Sequence, residues 1–508
     1  MSQALSSNAD RLPPSQHTDS TVDVDVMIIG AGISGIGAAC HLKERCPNKS
    51  FALLESRSAI GGTWDLFRYP GIRSDSDMHT LGYRFKPWKD KKAIADGPSI
   101  RAYVNETARE HDVAKEIRYQ HSLRAASWSS EDARWTLEVD AGEPAERIQL
   151  TCRFLFMCAG YYDYASGHTP EFEGRERFTG PVIHPQHWPE DLDYTGKRVA
   201  VIGSGATAMT LVPAMAEKAA HITMIQRSPT YVVSRPTQDR IANFLRKIMP
   251  ASWAYGLTRF KNVQLQRFMY GRTRTNPDQV KERLLDMVRD ELGPDYDIEK
   301  HFTPRYNPWD ERLCLVPDGD LFEAIRGDKA TVVTDQIDTF TESGIQLESG
   351  EKVEADIIVT ATGINLSVLG GVQFMKDGKP IEFSETFTYK GMLYSGVPNL
   401  VQTFGYINAS WTLRADLTSE YVCRLLNHMD EIDALTVTPK LHEDDEKMEV
   451  RPWIDDFTPN YMTRVMHLFP KQGDREPWKN TQNYHLDKKM IRNAPITDRA
   501  LVFSDKPR

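Results

Sequence analysis

Val24-Asp-Val-Met-Ile-Ile-Gly30-Ala-Gly32-Ile-Ser34-Gly35 decides the fold of this chain. A run of branched apolar residues, of strand length, ends on a glycine, and two more glycines complete the spacing G-x-G-x-x-G before a helical stretch, Ile36–Arg45. In a strand–turn–helix unit the first glycine permits the tight turn. The second lets backbone N–H groups approach a pyrophosphate, and the third lets helix and strand pack closely. The helix N-terminus adds the positive end of its dipole. Ser50-Phe-Ala-Leu-Leu-Glu55 then reads as the next strand, ending in a carboxylate placed to accept ribose hydroxyls.

A second unit repeats the pattern: Arg198-Val-Ala-Val-Ile-Gly203-Ser-Gly205-Ala206-Thr207-Ala208, a helix, and the strand His221–Arg227. Ala208 takes the third glycine's place and still allows close packing. No acid closes this second strand; the residues there are Gln226 and Arg227. A carboxylate would repel a 2′-phosphate, whereas Arg227 can hold one, although an exposed arginine can also be plain surface charge. FAD at the first site and NADPH at the second is the simplest assignment. The expected fold class is α/β, with two Rossmann-like dinucleotide-binding domains and a helical insertion in the NADP domain.

The 508 residues, 40% hydrophobic and 26% charged, are those of a globular chain with more than one core. Residues 1–22 read as a disordered polar tail, 23–165 and 345–508 as a discontinuous FAD-binding domain, and 166–344 as the NADP-binding domain with its helical insertion at about 237–300. The net charge of −9 speaks against nucleic acid or an anionic membrane surface as main partner. No apolar run is long enough for an integral membrane segment. The cysteines at 40, 46, 152, 158, 314 and 423 form no C-x-x-C pair, so neither a redox dithiol nor a zinc or other metal site is indicated. Scattered thiols fit a cytoplasmic location. A homo-oligomer is left open.

Two further stretches carry fixed patterns. One is Gly61-Gly62-Thr63-Trp64-Asp-Leu-Phe-Arg-Tyr69-Pro70-Gly71-Ile-Arg-Ser-Asp75; the other is Phe178-Thr-Gly180-Pro-Val-Ile-His184-Pro-Gln-His-Trp188-Pro189, just ahead of the second glycine loop. They match G-G-x-W-x-x-x-x-Y-P-G-x-x-x-D and F-x-G-x-x-x-H-x-x-x-W-P at every fixed position. On these the chain resembles type I Baeyer–Villiger monooxygenases (class B flavoprotein monooxygenases), and its runs Gly61–Ser76, His184–Tyr194 and Tyr306–Pro317 resemble in particular the bacterial branch containing the ethionamide-activating enzyme of mycobacteria. N/S-oxygenating flavin-containing monooxygenases, the alternative, usually carry Tyr or Phe at the Trp188 position. A pyridine-nucleotide disulfide reductase would need the missing C-x-x-C. A flavin-binding sensor without turnover is disfavoured by the completeness of both motifs.

The resemblance implies an oxidoreductase that reduces FAD with NADPH, forms a C4a-peroxyflavin with O2, and converts a ketone to an ester, with sulfoxidation of thioethers as a side activity. Linear aliphatic or aryl-alkyl ketones are the implied substrates. It places the active-site arginine at Arg312, within Asn307-Pro-Trp-Asp-Glu311-Arg312-Leu313, and the aspartate that orients it at Asp75. A permanently charged guanidinium suits a site where negative oxygen develops. Read without the resemblance, Asp75 can equally be a helix N-cap, with Asp77 as competitor. The implied FAD contacts are Gly30, Gly32, Ser34, Gly35, Glu55, Gly62, Thr63, Trp64, Asp75, Tyr83, Thr362 and Gly363. Those to NADPH are Gly203, Gly205, Ala206, Thr207, Arg227 and Ser228. Several members carry Lys before the catalytic Arg; here Glu311 stands there, which shifts 2′-phosphate selectivity onto Arg227 with Ser228 or Lys197. Phe178, Gly180, His184 and Trp188 are read as a linker coupling the two coenzyme sites. Trp411, opening a late helix, is either a pocket wall or a packed core residue.

Overall fold

Two parallel-strand cores carry the two glycine loops in a computed structural model that describes residues 22–311, 313–455 and 459–505. The expected tail falls outside these residues except for Val22, and so does Arg312. The first core starts with β1 (Val24–Ile29), α1 (Ile33–Arg45) and β2 (Phe51–Glu55). Short helices α2 (Thr63–Leu66) and α3 (Met78–Leu81) and the longer α4 (Gly97–Glu110) follow. Next come β3 (Ile117–Tyr119), β4 (His121–Ser129), β5 (Arg134–Ala141) and β6 (Glu146–Met157). β1 lies parallel between β2 and β6, which pair both its edges; Val26 and Ile28 pack into a core on one face and Met27 into another on the opposite face, all three wholly buried. That is why the strand is a nearly continuous apolar run rather than an alternating one.

After β7 (Tyr162–Gly167) and β8 (Val182–Ile183), the second core repeats the device with β9 (Arg198–Ile202), α5 (Ala206–Ala216) and β10 (His221–Gln226). β11 (Tyr231–Arg235) leads out into a helical excursion, α6 (Arg240–Ile248), α7 (Ala251–Thr275) and α8 (Pro277–Leu292). β12 (Leu313–Pro317) returns parallel beside β11, and β13 (Ala330–Thr334) pairs with β10. An antiparallel unit, β14 (Ile337–Thr341), β15 (Gly344–Leu347) and β16 (Lys352–Glu354), precedes β17 (Ile357–Thr360), which lies parallel to β9. The order β6-β1-β2-β3 in the first sheet thus matches β17-β9-β10-β13 in the second.

One expected boundary is corrected here. β15, β16 and β17 belong with the second core, so a return to the FAD domain at residue 345 is too early. The chain rejoins the first sheet at β19 (Gln373–Lys376), after β18 (Ile364–Leu366) has run antiparallel beside β7. An apolar run such as Ile357–Thr360 reads as a buried strand, but its pattern does not say which sheet it enters. β7 and β18 are the two chain crossings between the cores, and they lie side by side. The long helix Trp411–Glu431 closes the first core against α1. Its fully buried Arg414 is paired with the equally buried Asp487 near the C-terminus. Losing either partner would strand a buried charge at a cost of about 3–5 kcal/mol.

Candidate active site

A single cleft of about 2550 Å³ runs between the cores and is walled by both glycine loops. At the first loop, Gly30 has φ 101°, and a Cβ there would meet the Cys158 carbonyl oxygen, beyond the end of β6, at 2.7 Å. Gly32 faces the Gly61–Gly62 turn, where a Cβ would come within 3.5 Å of the Gly62 Cα. Gly35 lies against Gly30 as the packing glycine. Gly30, Gly32, Ser34, Glu55, Gly62, Thr63 and Trp64 all border the cleft, a backbone-lined cradle that fits a dinucleotide.

Glu55 is only 3% exposed. One carboxylate oxygen accepts the Ala31 N–H at 2.8 Å and the other the Arg57 N–H at 2.9 Å. Burial pushes its pKa up, against the lowering by these two N–H groups. The acid therefore also fixes the glycine loop. Ser34 accepts the indole N–H of Trp411 at 2.7 Å, and Trp411 stacks on Tyr161 with ring centroids 5.3 Å apart. Both readings of Trp411 hold: it borders the cleft and it is packed. Tyr83 is different. It is 1% exposed, its hydroxyl donates to the Ile33 carbonyl at 2.8 Å, and its ring lies against Gly37 of α1, away from the cleft. It supports the helix that carries the loop, so the expected cofactor contact is corrected to a supporting one.

The G-G-x-W segment is tied down by a residue the sequence reading passed over. Asp65, 1% exposed, accepts from Arg57 at 2.9 Å, Arg101 at 2.7 Å and Arg68 at 3.3 Å. Its signal was an acid inside the motif with arginine three residues on. The Tyr69–Gly71 turn docks the first core onto the second: the Tyr69 hydroxyl pairs with Thr207, and a Cβ on Gly71 would strike Ala214 of α5 at 2.6 Å.

Of the two aspartates that follow, Asp77 caps α3, accepting from the His79 and Thr80 N–H groups at 3.0 and 3.1 Å. Asp75 is exposed and borders the cleft. Arg312 lies outside the described residues; Glu311 and Leu313, its neighbours in sequence, both border the cleft.

At the second loop Gly203, φ 134°, would bring a Cβ to 2.3 Å from the Ala361 carbonyl oxygen beyond β17, whereas Gly205 has nothing within 4 Å and opens to the cleft. Ala206, Thr207, Arg227 and Ser228 border it with them. Gln226 is buried, its amide N–H donating to the His301 carbonyl at 2.7 Å, while its Oε1 has no partner among the described residues. Arg227 is exposed. Burial raises the pKa of Glu311, and the Arg227 charge opposes that rise, so these two face each other electrostatically. Lys197 sits ahead of the N-terminal end of β9, opposite the loop, and does not border the cleft; in a parallel sheet ligands bind at the carboxyl ends of strands.

The fingerprint stretch straddles the crossings. Phe178 is buried against Phe340, and a Cβ on Gly180 would strike the Asp356 carbonyl at 2.4 Å. The Nε2–H of His184 donates to the Gly363 carbonyl at 2.9 Å, and its Nδ1 accepts the Gln186 N–H at 3.2 Å, an arrangement that needs the neutral ring. Burial lowers the pKa of His184, which keeps it neutral. Gln186 donates to the Asp163 carbonyl of β7 at 2.7 Å, and Trp188 packs against the second core. A Cβ on Gly167 would overlap the His184 ring, so this unpredicted glycine makes room for the fingerprint histidine. Thr362 donates to the His168 carbonyl at 2.6 Å, and Thr362 and Gly363 both border the cleft.

Residues 83–296 match the family model of flavin-binding monooxygenase-like proteins, and residues 28–90 that of NAD(P)-binding Rossmann-like domains. The chain is 52% identical over 488 residues to the FAD-containing monooxygenase EthA of Mycobacterium tuberculosis, covering 96% of this chain and 99% of that protein. The chain belongs to the FAD-containing monooxygenases. Its motifs set it among those of the Baeyer–Villiger type, and membership makes it an NADPH-dependent flavin monooxygenase that uses FAD. The probable FAD-binding monooxygenase AlmA of Acinetobacter baylyi is 46% identical over 484 residues, covering 95% of this chain and 96% of that protein. A polycyclic ketone monooxygenase of Thermothelomyces thermophila shares the fold, with a TM-score of 0.75 at 19% identity over 95% of this chain and 90% of that one. Among the described residues no helix is long and apolar enough to cross a membrane.

Proposed function

We propose that this monooxygenase inserts one oxygen atom of O2 next to the carbonyl of linear aliphatic or aryl-alkyl ketones, giving esters, and oxidises thioethers to sulfoxides as a side reaction. One observation carries the reading: the cleft that joins the Glu55 end to the Arg227 end is bordered by Asp75, whereas Asp77 caps α3. Bound FAD, reduced by NADPH, supplies the activation of O2. Gly30, Gly32 and the Gly62–Trp64 segment hold that group, with Glu55 on its ribose. Asp75 orients the guanidinium of Arg312, which stays protonated and stabilises the negative oxygen that develops at the substrate carbonyl. The N-terminus of the helix Trp411–Glu431 adds its dipole. Arg227 and Ser228 take the coenzyme's 2′-phosphate, with Glu311 as an opposing charge that leaves room for residual use of NADH. Within this scheme Arg312 touches the reacting centre and Asp75 positions Arg312, while Phe178, Gly180, His184 and Trp188 relay coenzyme binding to that centre.

The reading is tested with a panel of ketones and thioethers, scoring esters and sulfoxides by gas chromatography against NADPH consumed. Ester formation from linear or aryl-alkyl ketones is expected. Oxygenation of amines and thioethers alone would favour the N/S-oxygenating alternative. Arg312→Ala should still reduce its flavin with NADPH, followed by stopped-flow absorbance, yet lose ester formation by about 10²-fold or more. Retained ester formation would remove Arg312 from its role.

A further inference from the structure

Among the described residues, eight of the twelve exposed large apolar side chains lie on two adjoining helices: Ile241, Phe244 and Ile248 on α6, and Trp253, Leu257, Phe260, Leu265 and Phe268 on α7. Their spacing puts those of α6 on one face (i, i+3, i+7), and Trp253, Leu257, Phe260 and Phe268 on one face of α7. The opposite stripe of α7, Ala254, Tyr255, Thr258, Arg259 and Asn262, is buried on the first core. There the Tyr255 hydroxyl donates to the Tyr83 carbonyl at 2.9 Å, and Arg259 donates to the His79, Thr80 and Gly82 carbonyls. The hairpin is thus anchored on one side and apolar on the other. An exposed apolar surface this concentrated marks an interaction site.

Charge identifies the occupant. Residues 240–275 hold eight basic side chains and no acidic one, in a chain whose net charge is −9; of the eight, Arg259, Lys261 and Arg274 are ion-paired with Asp416, Asp239 and Asp310. Lys247 and Arg267 are exposed beside the apolar face, and Lys89, Lys91 and Lys92 are exposed on the loop whose Lys89 and Lys91 carbonyls accept from Arg246 and Asn243. Aromatic and aliphatic residues bordered by Lys and Arg are what a helix lying in a lipid headgroup layer presents. A second copy of this chain would bring the same positive surface against itself, which disfavours it. The whole-chain charge, which argued against an anionic membrane, conceals this local excess.

We propose that the α6–α7 hairpin docks the enzyme on an anionic lipid bilayer, lying in its interface without crossing it. Ile241 and Phe268 belong to the apolar face and also border the cleft, so the docked enzyme opens its site toward the lipid. The docking is independent of which substrate is oxidised.

Flotation of the full-length holoenzyme with vesicles tests it. The enzyme should float with phosphatidylcholine vesicles containing phosphatidylglycerol, float much less with phosphatidylcholine alone, and be released by salt. Trp253→Ser with Phe260→Ser should lower partitioning about tenfold or more. Lys247→Glu with Arg267→Glu should lower it about fivefold per charge. None of these four side chains borders the cleft, so thermal midpoints and turnover of a water-soluble ketone should match wild type. Equal partitioning with and without phosphatidylglycerol would overturn the proposal. So would a wild-type dimer in sedimentation that the Trp253/Phe260 variant splits while wild type fails to float; the face would then join two copies of the chain.

Discussion

The two glycine loops share a strand order and a packing device but differ in where they keep charge. In each, the first glycine presses on a carbonyl just past the neighbouring parallel strand, Cys158 for Gly30 and Ala361 for Gly203. At the first loop the polar residue ending the next strand is a buried acid whose carboxylate grips the loop itself. At the second it is a buried neutral amide turned away to His301, and the charge has moved out to Arg227. The first arrangement suits a group kept through many turnovers, the second one that enters and leaves a surface able to offer it a countercharge.

The glycine positions give the largest contrast. Gly30→Ala forces a side chain into a positive-φ turn and onto the Cys158 carbonyl, and should destabilise the chain by about 2–5 kcal/mol, seen as a lowered thermal midpoint and lost FAD. Gly205→Ala meets open space and should leave the midpoint within about 0.5 kcal/mol of wild type, raising only the KM for NADPH. Equal effects at the two positions would break the distinction. The charge assignment comes next: Arg227→Ala should cut kcat/KM for NADPH about 10- to 100-fold, the loss of a charge-assisted contact of about 1.5–3 kcal/mol, and leave NADH unchanged. Glu311→Lys should shift the ratio the other way.

Removing the grip on the first loop follows in size. Glu55→Ala leaves the Ala31 and Arg57 N–H groups without their acceptor and should cost about 1–3 kcal/mol in chemical denaturation. Gln226→Ala should cost about 1 kcal/mol or less, since it also removes a buried oxygen that has no partner among the described residues. The smallest effect belongs to the segment joining the sites. His184 has a pKa below its ordinary 6.5, so its neutral-ring contacts are complete above that value and are lost as pH falls through the lowered one. Ester yield per NADPH consumed should therefore fall on acidification, and His184→Ala should show the lower yield without that pH dependence.

Much of this was legible in one dimension. Local rules govern a glycine turn, so both loops, the acid ending β2 and the missing acid ending β10 could be found by spacing alone. Tyr83 misled because an aromatic near a motif has no local mark of which side of a helix it supports. Asp75 and Asp77 were indistinguishable until the start of α3 showed which one the backbone N–H groups claim. Ile357–Thr360 read as a strand but not as a strand of the second sheet. Gly167 and Gln186 had no pattern at all, since their reasons lie in β7 meeting the His184 segment.

The sequence by itself determined the two dinucleotide units and the monooxygenase family, because turn sterics and strand burial act over a few residues. Only the tertiary structure decided that both units wall one cleft, that Asp75 borders it while Tyr83 does not, and that the basic, apolar faces of α6 and α7 point outward together. Those depend on which surfaces meet across hundreds of residues, and burial, unlike a turn, is a property of the neighbours rather than of the residue.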